Sequence, residues 1–249
     1  MKNSIMLYNF FDDYLFENLN ILVPKDNFIT ISGPNNCGKT TLLRILNREI
    51  ITENKIVIEN RGINNYKIEE YSKLVQCVIP LEDIFEEETV EEELLSINNK
   101  IDKIVKDLKL TKLLTKNTNN LSDKEKVLIQ LTKAVLRKPS ILLIDDLSLY
   151  FDNKEKKDIF KFLRKQKLTI VYTTLSLEDT LYSDYLYIIG NKKVALEGNP
   201  LYILQKDNII NKLGLKLPFM VDLSVKLTDY ELIDKQILDP KEMVDELWK

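Results

Sequence analysis

Eight residues, Gly33 through Thr40, read GPNNCGKT and satisfy the spacing G-x-x-x-x-G-K-[ST] of a loop that cradles phosphate. The residue types are those the chemistry asks for. Gly33 and Gly38 let the backbone turn sharply, so that successive N–H groups converge on phosphate oxygens, and a following helix adds the partial positive charge of its N-terminus. Pro34, Asn35, Asn36 and Cys37 complete the lining, with Cys37 read as filling space rather than reacting. Lys39 is placed to reach the β- and γ-phosphates of a nucleotide, the Thr40 hydroxyl to ligate Mg²⁺, and Thr41 to make a further phosphate contact. A Gly-rich turn followed by a surface lysine is the plainer reading, and the strand before the loop and the helix after it weigh against it.

These residues need elements to hold them. Phe28 to Ile31 reads as an apolar strand running into the loop, and Leu42, Leu43, Ile45 and Leu46 give the following helix its packing face. The apolar run Ile141 to Ile144 ends in Asp145-Asp146, as expected of a central parallel strand with carboxylates at its C-terminal edge, where ligands bind. Asp145 is expected to hold Mg²⁺ through water. Leu121 to Leu136 reads as a helix with its own start signal, Ser122 capping the first turn and Glu125 reaching back to the cap.

Around this centre, Ser4 to Tyr8 and Leu19 to Val23 are expected as strands, as are Lys55 to Ile58, Leu74 to Ile79 with Gln76 in it, and Thr169 to Tyr172. Arg61-Gly62 is read as a turn, and Tyr185 to Ile189 with Lys193 to Glu197 as a hairpin. Helical patterns cover Ile101 to Leu110, Thr111 to Leu114, Asn153 to Lys165 and Pro240 to Trp248. The acidic tract Glu82 to Glu93 is read as a solvated face. Strands alternating with helices predict an α/β fold with a mostly parallel sheet.

Composition removes several classes of function. The 249 residues, 44% hydrophobic, suffice for one large domain, alone or with a small appendage. A net charge of -3 provides no global basic field, so nucleic acid is not expected as a partner. The two cysteines, Cys37 and Cys77, lack CxxC spacing and the chain has no histidine, which argues against a disulfide framework, a zinc site and the commonest general base. A reducing cytoplasm fits. The N-terminal stretch MKNSIMLYNFFDD has no long apolar core before Asp12 and Asp13, and no later run is long enough to cross a bilayer, so a membrane role must come through a partner.

The order of phosphate loop, strand-borne Gln76, Leu121-Ser122, an apolar run ending in acids, and then Asp152 resembles the nucleotide-binding subunits of ABC transporters. Thr89 to Glu93 (TVEEE), Glu197 to Pro200 (EGNP) and Leu213 to Ser224 (LGLKLPFMVDLS) are similar to the energy-coupling factor class, which imports vitamins and transition-metal ions. The resemblance implies the ABC-type P-loop NTPase fold: an antiparallel N-terminal β part, a mostly parallel sheet flanked by helices, and a small helical subdomain at about 82–136. These lie within an ATP-binding domain at 1–205, followed by a helical extension at 206–249. It implies ATP and Mg²⁺ as cofactors, with Phe10, or Phe11 as second choice, stacking on adenine. Gln76 would sense Mg²⁺ and the γ-phosphate, Ser122 would touch the nucleotide held by a partner, and Asp152 would lie at the dimer contact. The implied partners are a second ABC ATPase subunit, paired head to tail as a homo- or heterodimer, and an integral membrane transporter subunit at the inner face of the cell membrane.

The chain departs from that family at its catalytic positions. The signature L-S-G-G-Q is Leu121-Ser122-Asp123-Lys124-Glu125 here, and Asp123 adds bulk and negative charge where glycine lets N–H groups approach phosphate. The catalytic glutamate is Asp146, one methylene shorter, and the switch histidine is Thr174, which cannot carry charge near neutral pH. The helical insert between Thr89 and Leu121 is short for the family. The expected function is an ATP-binding subunit of an energy-coupling-factor-like importer whose own hydrolytic site is impaired. The alternatives are a non-transport module that dimerises on ATP, and a working ATPase with Asp146 as base.

Overall fold

Phe28, Ile29, Thr30, Ile31 and Ser32 are all buried, because this short uncharged run lies in the middle of a sheet covered on both faces. The computed structural model describes residues 2–12, 14–53, 55–82 and 84–248; Asp13 of the N-terminal stretch and Asp83 of the acidic tract lie outside them. In chain order the strands are β1 (Asn3–Asp12), β2 (Phe16–Pro24), β3 (Phe28–Ser32), β4 (Ile56–Ile58), β5 (Arg61–Gly62), β6 (Val75–Val78), β7 (Ile141–Ile144), β8 (Thr169–Thr174), β9 (Tyr185–Gly190) and β10 (Lys193–Gly198). The helices are α1 (Lys39–Leu46), α2 (Ile68–Leu74), α3 (Val90–Ile97), α4 (Asp102–Asp107), α5 (Asp123–Leu136) and α6 (Asn153–Arg164). They continue with α7 (Leu177–Thr180), α8 (Pro200–Ile203), α9 (Asp207–Lys212), α10 (Phe219–Asp229) and α11 (Pro240–Leu247).

The strands form two sheets. One is antiparallel, in the order β2-β1-β4-β5; the other has the order β10-β9-β3-β8-β7-β6, parallel from β9 to β6, with β10 antiparallel at its edge. Alternation along β7 sorts the core, since successive strand residues face opposite sides. Ile141 and Leu143 join β1, β2 and α1, whereas Leu142 and Ile144 join α3, α5 and α6. The expected α/β architecture with an antiparallel N-terminal part is present.

Three local expectations differ. The turn is at Glu59-Asn60, both with positive φ (44° and 67°), so Arg61-Gly62 becomes strand β5 instead. Thr111 to Leu114 forms turns rather than a helix, with Leu113 N–H donating to the Leu110 carbonyl at 2.7 Å. The acidic tract is not uniformly solvated. Glu93 is 3% exposed, ion-paired to Lys133 at 2.6 Å, and accepts the Glu86 and Glu87 N–H groups at 2.9 Å each. A buried carboxylate needs such partners, and α5 and the backbone supply them.

A third core cluster joins β9 to the C-terminal helices through Leu186, Ile188, Ile203, Leu204, Ile210 and Leu215. Gly190 permits the closest approach there: a Cβ on it would fall 2.4 Å from Leu213 Cδ2. Among the described residues, no helix is long and apolar enough to cross a membrane.

Candidate functional site

The phosphate loop is fitted between two neighbours, Ile189 and Phe16. A Cβ on Gly33 would lie 2.5 Å from the Ile189 carbonyl oxygen and 2.7 Å from Cys37 Sγ. Gly38 has φ 95°, and a Cβ there would lie 2.5 Å from the ring of Phe16. Asn36 also takes a left-handed conformation, φ 61°, and completes the turn that leads into α1. Lys39 Nζ donates to the Gly33 carbonyl at 2.7 Å and the Pro34 carbonyl at 2.9 Å, so its ammonium is folded over the loop. Asn35 is exposed and Thr41 half-buried at the start of α1. Desolvation by burial pushes the Cys37 thiol up, more than the Lys39 ammonium pulls it down, consistent with a packing role.

The sheet brings Asp145 to this loop. Its N–H continues the ladder to the Val78 carbonyl at 2.9 Å, and Thr40 Oγ1 donates to its Oδ2 at 2.6 Å. Thr173 donates its hydroxyl to the other carboxylate oxygen. The sequence reading singled out no role for Thr173, although the parallel register of Ile144 with Tyr172 places it beside Asp145. A threonine hydroxyl and one carboxylate, with no cluster of three or more acidic, Cys or His ligands among the described residues, suit Mg²⁺, which keeps most of its waters and takes oxygens from phosphate. Thr40 and Asp145 would hold that ion.

Asp146 and Thr174 also meet, but through bonds that tie the carboxylate down. Asp146 Oδ1 accepts the Ser148 N–H at 2.9 Å and the Thr174 hydroxyl at 3.3 Å, and Oδ2 accepts the Leu175 N–H at 3.0 Å. The side chain holds the ends of β7 and β8 together. A general base has to reach a water instead, and each of these donors competes for its lone pairs.

Two expectations are corrected. Phe10 cannot offer its face to a base: it is 1% exposed and packs edge-on against Phe16 at 5.7 Å between ring centroids. Phe11, next along β1, is 51% exposed and remains as the stacking candidate. Gln76 lies away from the phosphates. It pairs with Leu142, three residues before Asp145, or about 10 Å back along the strands. Its amide donates to the Ser72 carbonyl, and its Oε1 accepts from Arg137 at 3.0 Å. The residue that follows β6 at the ligand edge is Ile79, an aliphatic side chain that ligates nothing.

Ser122 is the N-cap of α5. Its hydroxyl accepts the Glu125 N–H, and its own N–H donates to Glu125 Oε2 at 2.9 Å. Lys116 at 2.7 Å and the Ser122 N–H hold the Glu125 carboxyl below its ordinary range. Asp152 caps α6 in the same way, accepting the Glu155 N–H at 2.8 Å.

The arrangement offers backbone N–H groups, a lysine and a Thr–Asp pair to a polyphosphate and its metal, beside a carboxylate already engaged. Comparison with known proteins agrees. The chain is 24% identical over 274 residues to the energy-coupling factor transporter ATP-binding protein EcfA1 of Clostridioides difficile, covering 99% of each. It is 26% identical over 259 residues to EcfA1 of Mesomycoplasma hyopneumoniae, covering 97% of this chain and 93% of that one. Among solved structures, cbiO1 of Clostridium perfringens, part of the ABC transporter complex cbiONQ, superposes with a TM-score of 0.73 at 20% identity, covering 90% of this chain and 99% of that one. Residues 16–148, more than half of the 249, match the ABC transporter family, and the chain, which carries that family's phosphate loop and fold, belongs to it.

Proposed function

We propose that the chain is the ATP-binding subunit of an energy-coupling-factor-like importer, and that it is the catalytically impaired member of its ATPase pair. The observation that carries this is the contrast within one site. The loop is complete and the Thr40–Asp145 pair is formed at 2.6 Å, while the Asp146 carboxylate is bonded to Ser148, Thr174 and Leu175. Binding energy survives where hydrolytic geometry does not. ATP with Mg²⁺ then acts by favouring a closed dimer, since a ligand shifts an equilibrium toward the state it binds better. The names of the EcfA1 relatives support the transport setting.

In this reading the partner is a second ABC ATPase subunit, set head to tail, and both sit on the cytoplasmic face of an integral membrane subunit. Asp123 beside Ser122 disfavours phosphate at this chain's own α5, so a different, consensus subunit suits the pairing better than a second copy.

The test is ATP affinity and steady-state hydrolysis of the purified chain in Mg²⁺, with Lys39→Ala as control. The expected result is binding that weakens at least about tenfold in the variant, the loss of one charge-assisted contact, and turnover near background. Unchanged affinity in Lys39→Ala overturns the assignment of the site. Turnover abolished by Asp146→Asn makes the chain a working ATPase, and failure to co-purify with any integral membrane protein in detergent makes it a soluble ATP-dependent dimerisation module.

A further inference from the structure

Gln76, displaced from the nucleotide site, lines a cavity of about 540 Å³ bounded by α1, α2, β6 and the C-terminal end of α5. That volume lies within the range of small-molecule sites. We propose that this cavity binds a small amphipathic anion, a carboxylate or phosphate head carried on a short apolar body.

The charge of the lining sets the head group. Arg48 and Arg137 both line the cavity, and no Asp or Glu among the described residues does, in a chain whose net charge is -3. Arg48 donates to the Tyr66 carbonyl at 2.9 Å and lies over the Tyr71 ring at 5.3 Å. Arg137 donates to Gln76 Oε1 at 3.0 Å. Neither guanidinium has a carboxylate partner among the described residues, so each keeps donors for an oxyanion, which arginine's planar fork binds in pairs. The acids of the neighbouring cleft are already matched: Arg44 pairs with both Glu49 and Glu82, and Asn47 donates to Glu49 at 2.6 Å.

The rest of the lining sets the body. Ile45, Ile63, Tyr71 and Val75 form a buried apolar wall. Ile50, Ile51 and Ile68 stand at the mouth, 40%, 88% and 79% exposed. Burial of such surface under an apolar chain is favourable. Asn64, Ser72 and Gln76 add neutral hydrogen-bonding groups, which supplement the two cations without neutralising them.

The experiment is calorimetric titration of the full chain with decanoate and with decyl phosphate, below their aggregation limits, and with decanol as the neutral probe. Either anion is expected to bind at least about tenfold more tightly than decanol. Arg137→Ala should lose about that factor and Arg137→Lys should recover part of it. Arg137 is exposed at the end of α5, so the variant is expected to fold, and an unchanged thermal midpoint verifies this. Sedimentation with vesicles of phosphatidylglycerol, against phosphatidylcholine, separates the sources. Capture by anionic vesicles that Arg137→Ala abolishes assigns a membrane lipid, and binding of the soluble anions alone assigns a free amphiphile. No binding of either anion at millimolar concentration, decanol binding as tightly, or unchanged affinity in a folded Arg137→Ala overturns the proposal.

Discussion

Thr40 and Asp145 lie 105 residues apart in sequence and are joined by a 2.6 Å hydrogen bond, which ties the start of α1 to the end of β7 at the proposed Mg²⁺ site. Asp145→Asn keeps the shape and removes the charge. The loss of a charge-assisted interaction, about 1.5–3 kcal/mol, is expected to weaken Mg²⁺-ATP binding by about tenfold or more. ATP binding in EDTA should change little. Calorimetric titration in the two buffers reads the difference.

Gly38 and Phe16 should be coupled in stability. Gly38→Ala places a methyl 2.5 Å from the Phe16 ring at a φ of 95°, so the variant carries both a clash and backbone strain. A cost of about 2–4 kcal/mol is expected in urea unfolding. Phe16→Leu opens room and should recover part of that cost in the double variant, the strain remaining. Additive losses would show that the ring does not support the loop.

Glu93 gives the chain an acid-sensitive joint. Burial alone would raise its carboxyl, but Lys133 and the Glu86 and Glu87 N–H groups together bring it below the ordinary value of 4.5. A depressed folded value means that the stabilisation is present above 4.5 and is lost as the pH falls through the folded value. Urea midpoints measured downward from about pH 5 should therefore fall more steeply in the parent than in Glu93→Gln. At neutral pH that variant should be about 3–5 kcal/mol less stable, since it removes the buried carboxylate that faces Lys133.

Asp146 is expected to matter more to folding than to nucleotide affinity. Asparagine offers one acceptor oxygen where the carboxylate offers two, so Asp146→Asn leaves the Leu175 or the Ser148 N–H without its partner. A loss of about 1–3 kcal/mol in thermal or urea unfolding is expected, with ATP affinity within about twofold of the parent. A large fall in affinity at unchanged stability would place the carboxylate on the ligand instead.

Sequence spacing located the loop, the Asp145 strand edge and the Ser122 cap, because these depend on neighbours within a few residues. The reading failed where pairing register decides. Gln76 lies in the right strand, but its pairing with Leu142 rather than with the strand end depends on residues more than sixty positions away. Phe10 and Phe11 are successive residues of one strand and face opposite sides, and only the pairing of β1 with β2 and the position of Phe16 settle which ring turns inward. Glu93 looked like one more acid in a solvated run, since nothing local signals that Lys133 of a later helix reaches it.

The contact of Gly190 with Leu213 ties the tail of the chain to the strand whose Ile189 carbonyl backs Gly33. Evolution therefore has little freedom to trim this tail as an optional appendage. A version ending near residue 205 would bare Leu186 and Ile188 of the central sheet and would remove the side chain that bears on the hairpin behind the phosphates. Drift in the last forty residues should be felt first as a loosened grip on nucleotide, at a distance from every residue that touches it.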